Sequence, residues 1–208
     1  MNRGAGTALL LLALVACDGP AIPVRTPAYG FDDPTTGDVF RWPANRLPVR
    51  VWADPRGTMP QLAAAGLRAW EQLFLYGEFR GIVVDDSVGA DIVVRWADSV
   101  PPNVAPDPGP AVFACDGLTR FSVGAANRLD DYIRIDLGVR FGYTEAQVAA
   151  CVARVATHEL GHALGILQHS PDTVDLMHAN PRASGPSDGD RRTIEVLYHT
   201  EPTIAPWR

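Results

Sequence analysis

The chain of 208 residues lacks lysine, and its eighteen basic residues are all arginines. These arginines are scattered without a run of five, and 24 acidic residues give the chain a formal net charge of −6. Proteins that bind nucleic acid usually carry a basic stripe or patch that neutralises phosphates. The sequence shows no such stripe, so we expect no nucleic-acid partner.

The sequence also lacks an apolar run long enough to cross a bilayer. Its most apolar segment, residues 7–16, follows Arg3 and ends in small residues, whereas a membrane-spanning helix needs about 20 apolar residues. Residues 1–16 are therefore typical of a signal peptide. Residues 14–17, Leu-Val-Ala-Cys, resemble the lipobox of bacterial lipoproteins, which implies export and a lipid anchor at Cys17 in the bacterial cell envelope. A plain signal peptide with an incidental cysteine is the alternative.

Cysteine is scarce, and only Cys115 and Cys151 remain besides Cys17. No pair has the C-x-x-C spacing, which argues against a redox or metal site built from cysteine. Disulfides form and persist outside the cytoplasm. We therefore expect Cys115 and Cys151 to pair, with two buried free thiols as the alternative.

Residues 17–39 are rich in proline and glycine, a composition that propagates neither helix nor sheet. We interpret this segment as a lipidated N terminus and flexible tether. Residues 40–208 are long enough to form one domain with a single core. We expect this domain to act as a monomer.

Hydrophobic periodicity predicts an order of strand, helix, then strands, before a second helix. The predicted strands are residues 47–52, 81–85, 90–96, 118–126 and 132–137, the first helix is residues 59–79, and residues 97–117 form a long loop. The second helix, about residues 145–164, begins at Thr144, where Gln147 completes a capping box, and stops at Gly165.

Two histidines on the second helix, His158 and His162, are four residues apart and therefore lie on one face, about one turn from each other. Neutral imidazoles suit Zn²⁺, and the neighbouring Glu159 can accept a proton from water. The spacing predicts a zinc site with a general base beside it. A pair of exposed surface histidines is the alternative.

Residues 158–170 resemble the zinc signature H-E-x-x-H-x-x-G-x-x-H of the metzincin metallopeptidases, most closely the matrixins. The resemblance implies a zinc-dependent endopeptidase that acts on protein or peptide substrates. It also implies that His158 and His162 bind the metal, that Glu159 is the general base, and that Met177 forms the Met-turn. Substrate would pair with the edge strand predicted at residues 118–126.

The implied fold is α+β, with a twisted, mostly parallel five-stranded sheet, an antiparallel edge strand, two long helices and a C-terminal helix. Residues 187–198 resemble that C-terminal helix. Asp98, Asp107 and Asp116 leave calcium binding open, although the calcium ligands of animal matrixins do not map onto this loop.

The sequence departs from the signature at the third ligand, because Gln168 occupies the expected position and His169 follows it. We predict that His169 binds the metal, since the turn after Gly165 can absorb one residue and imidazole is the better ligand. Asp172 and His178 are the alternatives. If the shift abolishes a productive cleft, the chain is instead a non-catalytic, zinc-stabilised binding lipoprotein.

Overall fold

The computed structural model describes residues 25–97, 115–139 and 143–207. The predicted signal peptide, Cys17, Asp98 and Asp107 lie outside these residues. Within the described ranges, no helix combines the length and apolar character that a membrane span requires.

Five strands form the main sheet: β1 (Val49–Ala53), β2 (Gly81–Val84), β3 (Ile92–Trp96), β4 (Cys115–Arg120) and β7 (Ile133–Val139). Their spatial order is β2-β1-β3-β7-β4. Strand β4 pairs antiparallel with β7, and the other neighbours are parallel. The β-branched residues predicted to form strands do so, and Ile133, Ile135 and Leu137 of the last strand are buried in the core. The mostly parallel sheet with an antiparallel edge strand confirms the predicted fold class.

Three α-helices accompany the sheet: α1 (Met59–Glu71), α2 (Glu145–Ala163) and α3 (Asp188–Tyr198). Helix α1 is shorter than the predicted span of residues 59–79, so that prediction is wrong in its last two turns. The chain turns at Gly77, whose φ is +71°. Phe74 and Tyr198 of α3 then pack edge to face with ring centroids 4.7 Å apart, so tertiary packing and a left-handed glycine end the helix early.

The strand predicted at residues 118–126 is also wrong in its bounds, and the preceding loop ends earlier than residue 117. Strand β4 begins at Cys115 and stops at Arg120. The chain then forms a small hairpin in which β5 (Val123–Gly124) pairs with β6 (Arg128–Leu129). Positive φ angles at Ala126 and Asn127 make this tight turn, which period-two alternation alone does not reveal.

Helix α2 begins and ends as predicted. The Thr144 hydroxyl accepts a hydrogen bond from the Gln147 backbone, and the Gln147 side chain binds back to the Thr144 backbone. At the other end Gly165 has a φ of +114°, and a Cβ there would lie 2.0 Å from the Phe40 carbonyl oxygen. Only glycine fits this turn, which redirects the chain towards the site.

A disulfide joins Cys115 to Cys151, as predicted, with the Cα atoms 5.9 Å apart. It links the first residue of β4 to α2, so the edge strand is covalently fixed to the helix that carries the two histidines.

The later part of the segment interpreted as a tether, residues 28–39, packs against the domain. Tyr29 and Val39 are buried, and the Val39 carbonyl accepts a hydrogen bond from Ile204. Although proline and glycine prevent regular structure here, backbone and side-chain hydrogen bonds to the rest of the chain replace it. These residues belong to the domain.

Candidate metal centre and active site

Three histidines meet where α2 ends. Helix α2 supplies His158 and His162, and the chain beyond the turn at Gly165 brings back His169. Nε2 of His162 lies 3.1 Å from Nε2 of His158 and 3.3 Å from Nε2 of His169. The candidate ligand atoms all lie within 4.8 Å of one another, close enough to hold one metal ion.

Backbone carbonyls fix the two helical imidazoles. Nδ1 of His158 is 2.7 Å from the Leu176 oxygen, and Nδ1 of His162 is 2.6 Å from the Ile166 oxygen. Since a carbonyl only accepts, each Nδ1 must carry the proton, and each Nε2 keeps its lone pair for a metal. Such outer hydrogen bonds orient the rings before a metal binds.

Burial also keeps these imidazoles neutral. It lowers the pKa of His158 from 6.5 to about 4 and the pKa of His162 well below its usual value. Burial lowers the pKa of His169 as well. Because a metal binds only the unprotonated imidazole, all three side chains are in the form that a metal needs near neutral pH. Three neutral imidazoles, with no thiolate, match the donor set of a catalytic zinc site with an open position.

The structure places His169, and not Gln168, in the histidine group. The Gln168 side chain turns away and donates from Nε2 to Oδ1 of Asp32, 2.9 Å away. Neither Asp172 nor His178 joins the three histidines in the metal-binding cluster found among the described residues. The additional residue of the turn is therefore accommodated between Gly165 and His169.

The predicted Met-turn lies directly against α2. Met177 is fully buried, and a Cβ on Gly161 would come within 2.4 Å of its Sδ. Glycine at position 161 thus lets the Met177 side chain approach the helix beside His162. The same turn presents the Leu176 carbonyl to His158.

Glu159 is almost completely buried beside the histidines. The Thr119 hydroxyl of β4 lies 2.7 Å from its Oε2 and can donate to it. Burial raises the pKa of Glu159 from 4.5 to about 7, although the hydrogen bond from Thr119 opposes this shift. A carboxyl group with a pKa near neutrality can both accept and return a proton.

Glu159 opens onto a cleft between β4 and the segment that follows the Met-turn. Gly117 of β4 leaves room for it, because a Cβ there would lie 2.6 Å from Glu159 Cγ. The residues that border the cleft include Asp116, Gly117, His158, His169, Asn180 and Pro181. Among the described residues β4 is the outermost strand of the main sheet, so one wall of this cleft is an edge strand.

Two buried aspartates support the site, and the sequence prediction missed their role. Asp190 accepts hydrogen bonds from the backbone nitrogens of Leu176 and Met177. Asp175 accepts from the hydroxyls of Ser170 and Ser187. The S-x-x-D pattern that begins at Ser187 indicates a capping box, and therefore a capping role for Asp190. The hydrogen bonds of Asp190 to Leu176 and Met177 depend on tertiary packing, which the pattern does not reveal. Thr119 gave no sequence signal.

A comparison with models of protein families matches residues 55–199 to the family described as matrixin. This range contains α1, α2, α3, all three histidines and Met177. No curated protein matches the chain.

Proposed function

The chain belongs to the matrixin family of metallopeptidases, since the match spans more than half of its length, and we propose that it is a zinc-dependent endopeptidase. The observation that carries the proposal is the convergence of three imidazole Nε2 atoms next to a buried carboxylate. A purely structural zinc site would have neither an open ligand position nor a base beside it.

His158, His162 and His169 would hold the ion. Zinc, when bound, would polarise the scissile carbonyl and lower the pKa of a water molecule, the two effects on which metal-assisted hydrolysis depends. The carbonyls of Leu176 and Ile166 keep the helical imidazoles in the tautomer that binds metal. The protein's contribution is therefore a preordered set of ligands.

Glu159 acts as the general base in this proposal. Its carboxylate accepts the proton of the attacking water and then passes it to the nitrogen of the leaving amine. In the metal-free protein burial raises its pKa to about 7, and a raised pKa makes the carboxylate a stronger base than an ordinary glutamate. The Thr119 hydroxyl holds the carboxylate in place and favours its ionised form.

Strand β4 is the surface on which substrate would lie. An extended peptide can add to an edge strand as a further strand of the sheet. Strand β4 spans Cys115–Arg120. The proposed substrate-binding strand therefore lies nearer the N terminus than residues 118–126, which the sequence predicted. The disulfide at Cys115 and the contact of Gly117 with Glu159 keep this edge aligned with the base.

The test uses the full chain loaded with zinc and casein as substrate. We expect hydrolysis that a zinc chelator abolishes and that added zinc restores. Glu159→Gln should keep its zinc and lose about 10²- to 10⁴-fold in kcat/KM, the usual contribution of a general base. Glu145→Gln is the matched control, because Glu145 is exposed at the start of the same helix. Undiminished hydrolysis by Glu159→Gln would overturn the role of Glu159.

The same experiment distinguishes the proposed endopeptidase from a protein that binds zinc without catalysis. A protein that binds one zinc ion per chain but hydrolyses neither casein nor a peptide library would be a zinc-stabilised binding protein. The buried Glu159, which is costly to ionise in the folded state, argues against that alternative, because a binding protein gains nothing from it.

We also propose that the enzyme is exported and anchored to a membrane through a lipid on Cys17. The lipobox-like residues 14–17 support this location, and so does the disulfide, which is typical of compartments outside the cytoplasm. In bacterial cells the wild type should enter the membrane fraction and incorporate labelled fatty acid, while Cys17→Ala should do neither. Equal labelling of both proteins would contradict the anchor.

A further inference from the structure

The turn that carries His169 is held from outside by four residues near the N terminus. We call residues 29–32 the strap. They lie outside the range that matches the family model, residues 55–199. The contacts of Gly30, Phe31 and Asp32 fall on the residues immediately before His169, where this chain departs from the zinc signature.

Two hydrogen bonds connect the strap to the turn. The backbone nitrogen of Leu167 donates to the Phe31 carbonyl at 2.8 Å. Nε2 of Gln168 donates to Oδ1 of Asp32 at 2.9 Å. These contacts fix both the backbone and the side chain of the two residues that precede the proposed third ligand.

The absence of a side chain at Gly30 leaves room for the Gln168 side chain. A Cβ on Gly30 would lie 2.7 Å from both Nε2 and Oε1 of Gln168, closer than such atoms approach without one of them moving. The backbone of the strap therefore packs directly on the amide, and the amide has space only because residue 30 has no side chain.

The strap is itself anchored to the support of the Met-turn. The Tyr29 hydroxyl donates to Oδ1 of Asp190 at 2.5 Å. Asp190 also accepts from the backbone of Leu176 and Met177, and the Leu176 carbonyl binds Nδ1 of His158. One buried carboxylate thus connects the strap to the segment that orients the first histidine.

His169 is the ligand that most needs such support. It is exposed, whereas His158 is buried within α2. After it, the Ser170 nitrogen binds the Met177 carbonyl at 2.8 Å, so the chain is fixed on that side by the Met-turn. Before it, Leu167 and Gln168 are hydrogen-bonded to Phe31 and Asp32 of the strap. A ligand on a loose turn would have to be ordered when the metal binds, which lowers affinity.

We infer that the strap positions His169 for the metal, and that Gln168 acts through Asp32 as a positioning residue, not as a ligand. The inference rests on the proposed zinc site. The extra residue between His162 and His169 makes the turn longer and gives it more conformational freedom. The hydrogen bond between Gln168 and Asp32 removes that freedom, because it fixes the additional residue against the N-terminal segment.

The experiment measures zinc affinity of the full chain by competition with a chelator, for the wild type and for Asp32→Ala, Gln168→Ala and Gly30→Ala. Each variant should bind zinc about tenfold more weakly, the lower end of the loss seen when support of a ligand is removed. Asp32→Asn keeps the accepting oxygen and should bind like the wild type. Gln61→Ala, at an exposed position of α1, is the matched control.

Two further measurements separate positioning from general stability. The Asp32→Ala/Gln168→Ala double variant should bind no more weakly than either single variant, because both remove the same contact. The visible spectrum of cobalt-substituted Asp32→Ala and Gln168→Ala should differ from that of the cobalt-substituted wild type, because this spectrum reports the arrangement of the ligands. The free energy of unfolding of the metal-free variants, measured with denaturant, should stay close to the wild-type value.

The outcomes are distinct from those of the proposed function. A wild type that binds no zinc contradicts the zinc site itself. If the wild type binds zinc and the Asp32→Ala and Gln168→Ala variants bind it with the same affinity as the wild type, the role of the strap is overturned. If Gln168→Ala loses zinc while Asp32→Ala and Gly30→Ala keep it, Gln168 is a ligand and the inference is wrong.

Discussion

Removal of the disulfide between Cys115 and Cys151 should destabilise the domain by an amount that follows from the length of the closed loop. The bridge spans a sequence separation of 36 residues. In the chain-entropy model a loop of this length lowers the entropy of the unfolded chain by about 13 cal/mol/K, which corresponds to about 4 kcal/mol at 25 °C. For a domain of this size that loss lowers Tm by about 8–16 °C.

The assay is denaturant unfolding of the metal-free protein, with Cys115→Ala/Cys151→Ala compared with the oxidised wild type. The reduced wild type is the matched control, because it keeps both buried sulfur atoms and lacks only the bond. Reduced wild type and double variant should both lose about 4 kcal/mol, with a further small loss in the variant from the cavity. A loss below about 1 kcal/mol in the reduced wild type would refute the reasoning from loop length.

Three further predictions concern the site itself. Gly161→Ala should lower the free energy of unfolding by roughly 1–2 kcal/mol, since overpacking against Met177 outweighs the gain in helix propensity; unchanged denaturation would contradict the close contact. Thr119→Val removes a donor that lowers the pKa of Glu159, so the acid limb of kcat/KM should move to higher pH, which a pH–rate profile would reveal. In the metal-free protein the unfolded state binds the proton of His158 more readily than the folded state, because burial lowers the folded pKa from 6.5 to about 4. This residue's contribution to stability should therefore be complete above pH 6.5 and fall by roughly 3 kcal/mol towards pH 4. The measurement is the difference in unfolding free energy between the wild type and His158→Gln across that range, because Glu159, whose pKa is raised to about 7, titrates there with the opposite effect on stability; a difference independent of pH would contradict the burial of a neutral imidazole.

The sequence predicted the sheet and α2 well, because their signals are local. Thr144 and Gln147 make a capping box, Gly165 ends the helix, and the β-branched runs of β1, β3 and β7 have few other stable arrangements. The first two histidines and Glu159 followed from helical spacing alone. These parts of the site depend on contacts within one turn of helix, which periodicity captures.

The remaining features depend on contacts between distant parts of the chain. Nothing near Thr119 indicates that its hydroxyl will reach Glu159, 40 residues away. Likewise, Tyr29 lies in a segment whose composition suggests a tether, yet it is held by Asp190, 161 positions further along the chain. Helix α1 ends early for the same reason, since Phe74 packs on Tyr198 of α3. Long-range packing overrides local propensity at each of these positions.

The proposed third ligand, His169, lies between these two cases. The sequence showed His169 one residue beyond the expected position, and chemical preference for imidazole favoured it over Gln168. The structure adds what composition could not supply, namely the bond from Gln168 to Asp32 that turns the glutamine away.

X-ray absorption at the zinc edge, recorded on the full chain loaded with one equivalent of zinc, tests the central claim most directly. The three histidines predict three imidazole nitrogens at about 2.0–2.1 Å, one further light ligand and no sulfur. The His169→Ala variant should lose one imidazole from that shell. A spectrum of His169→Ala identical to that of the wild type, or a wild-type shell with only two imidazoles, would contradict the claim that His158, His162 and His169 form the metal site.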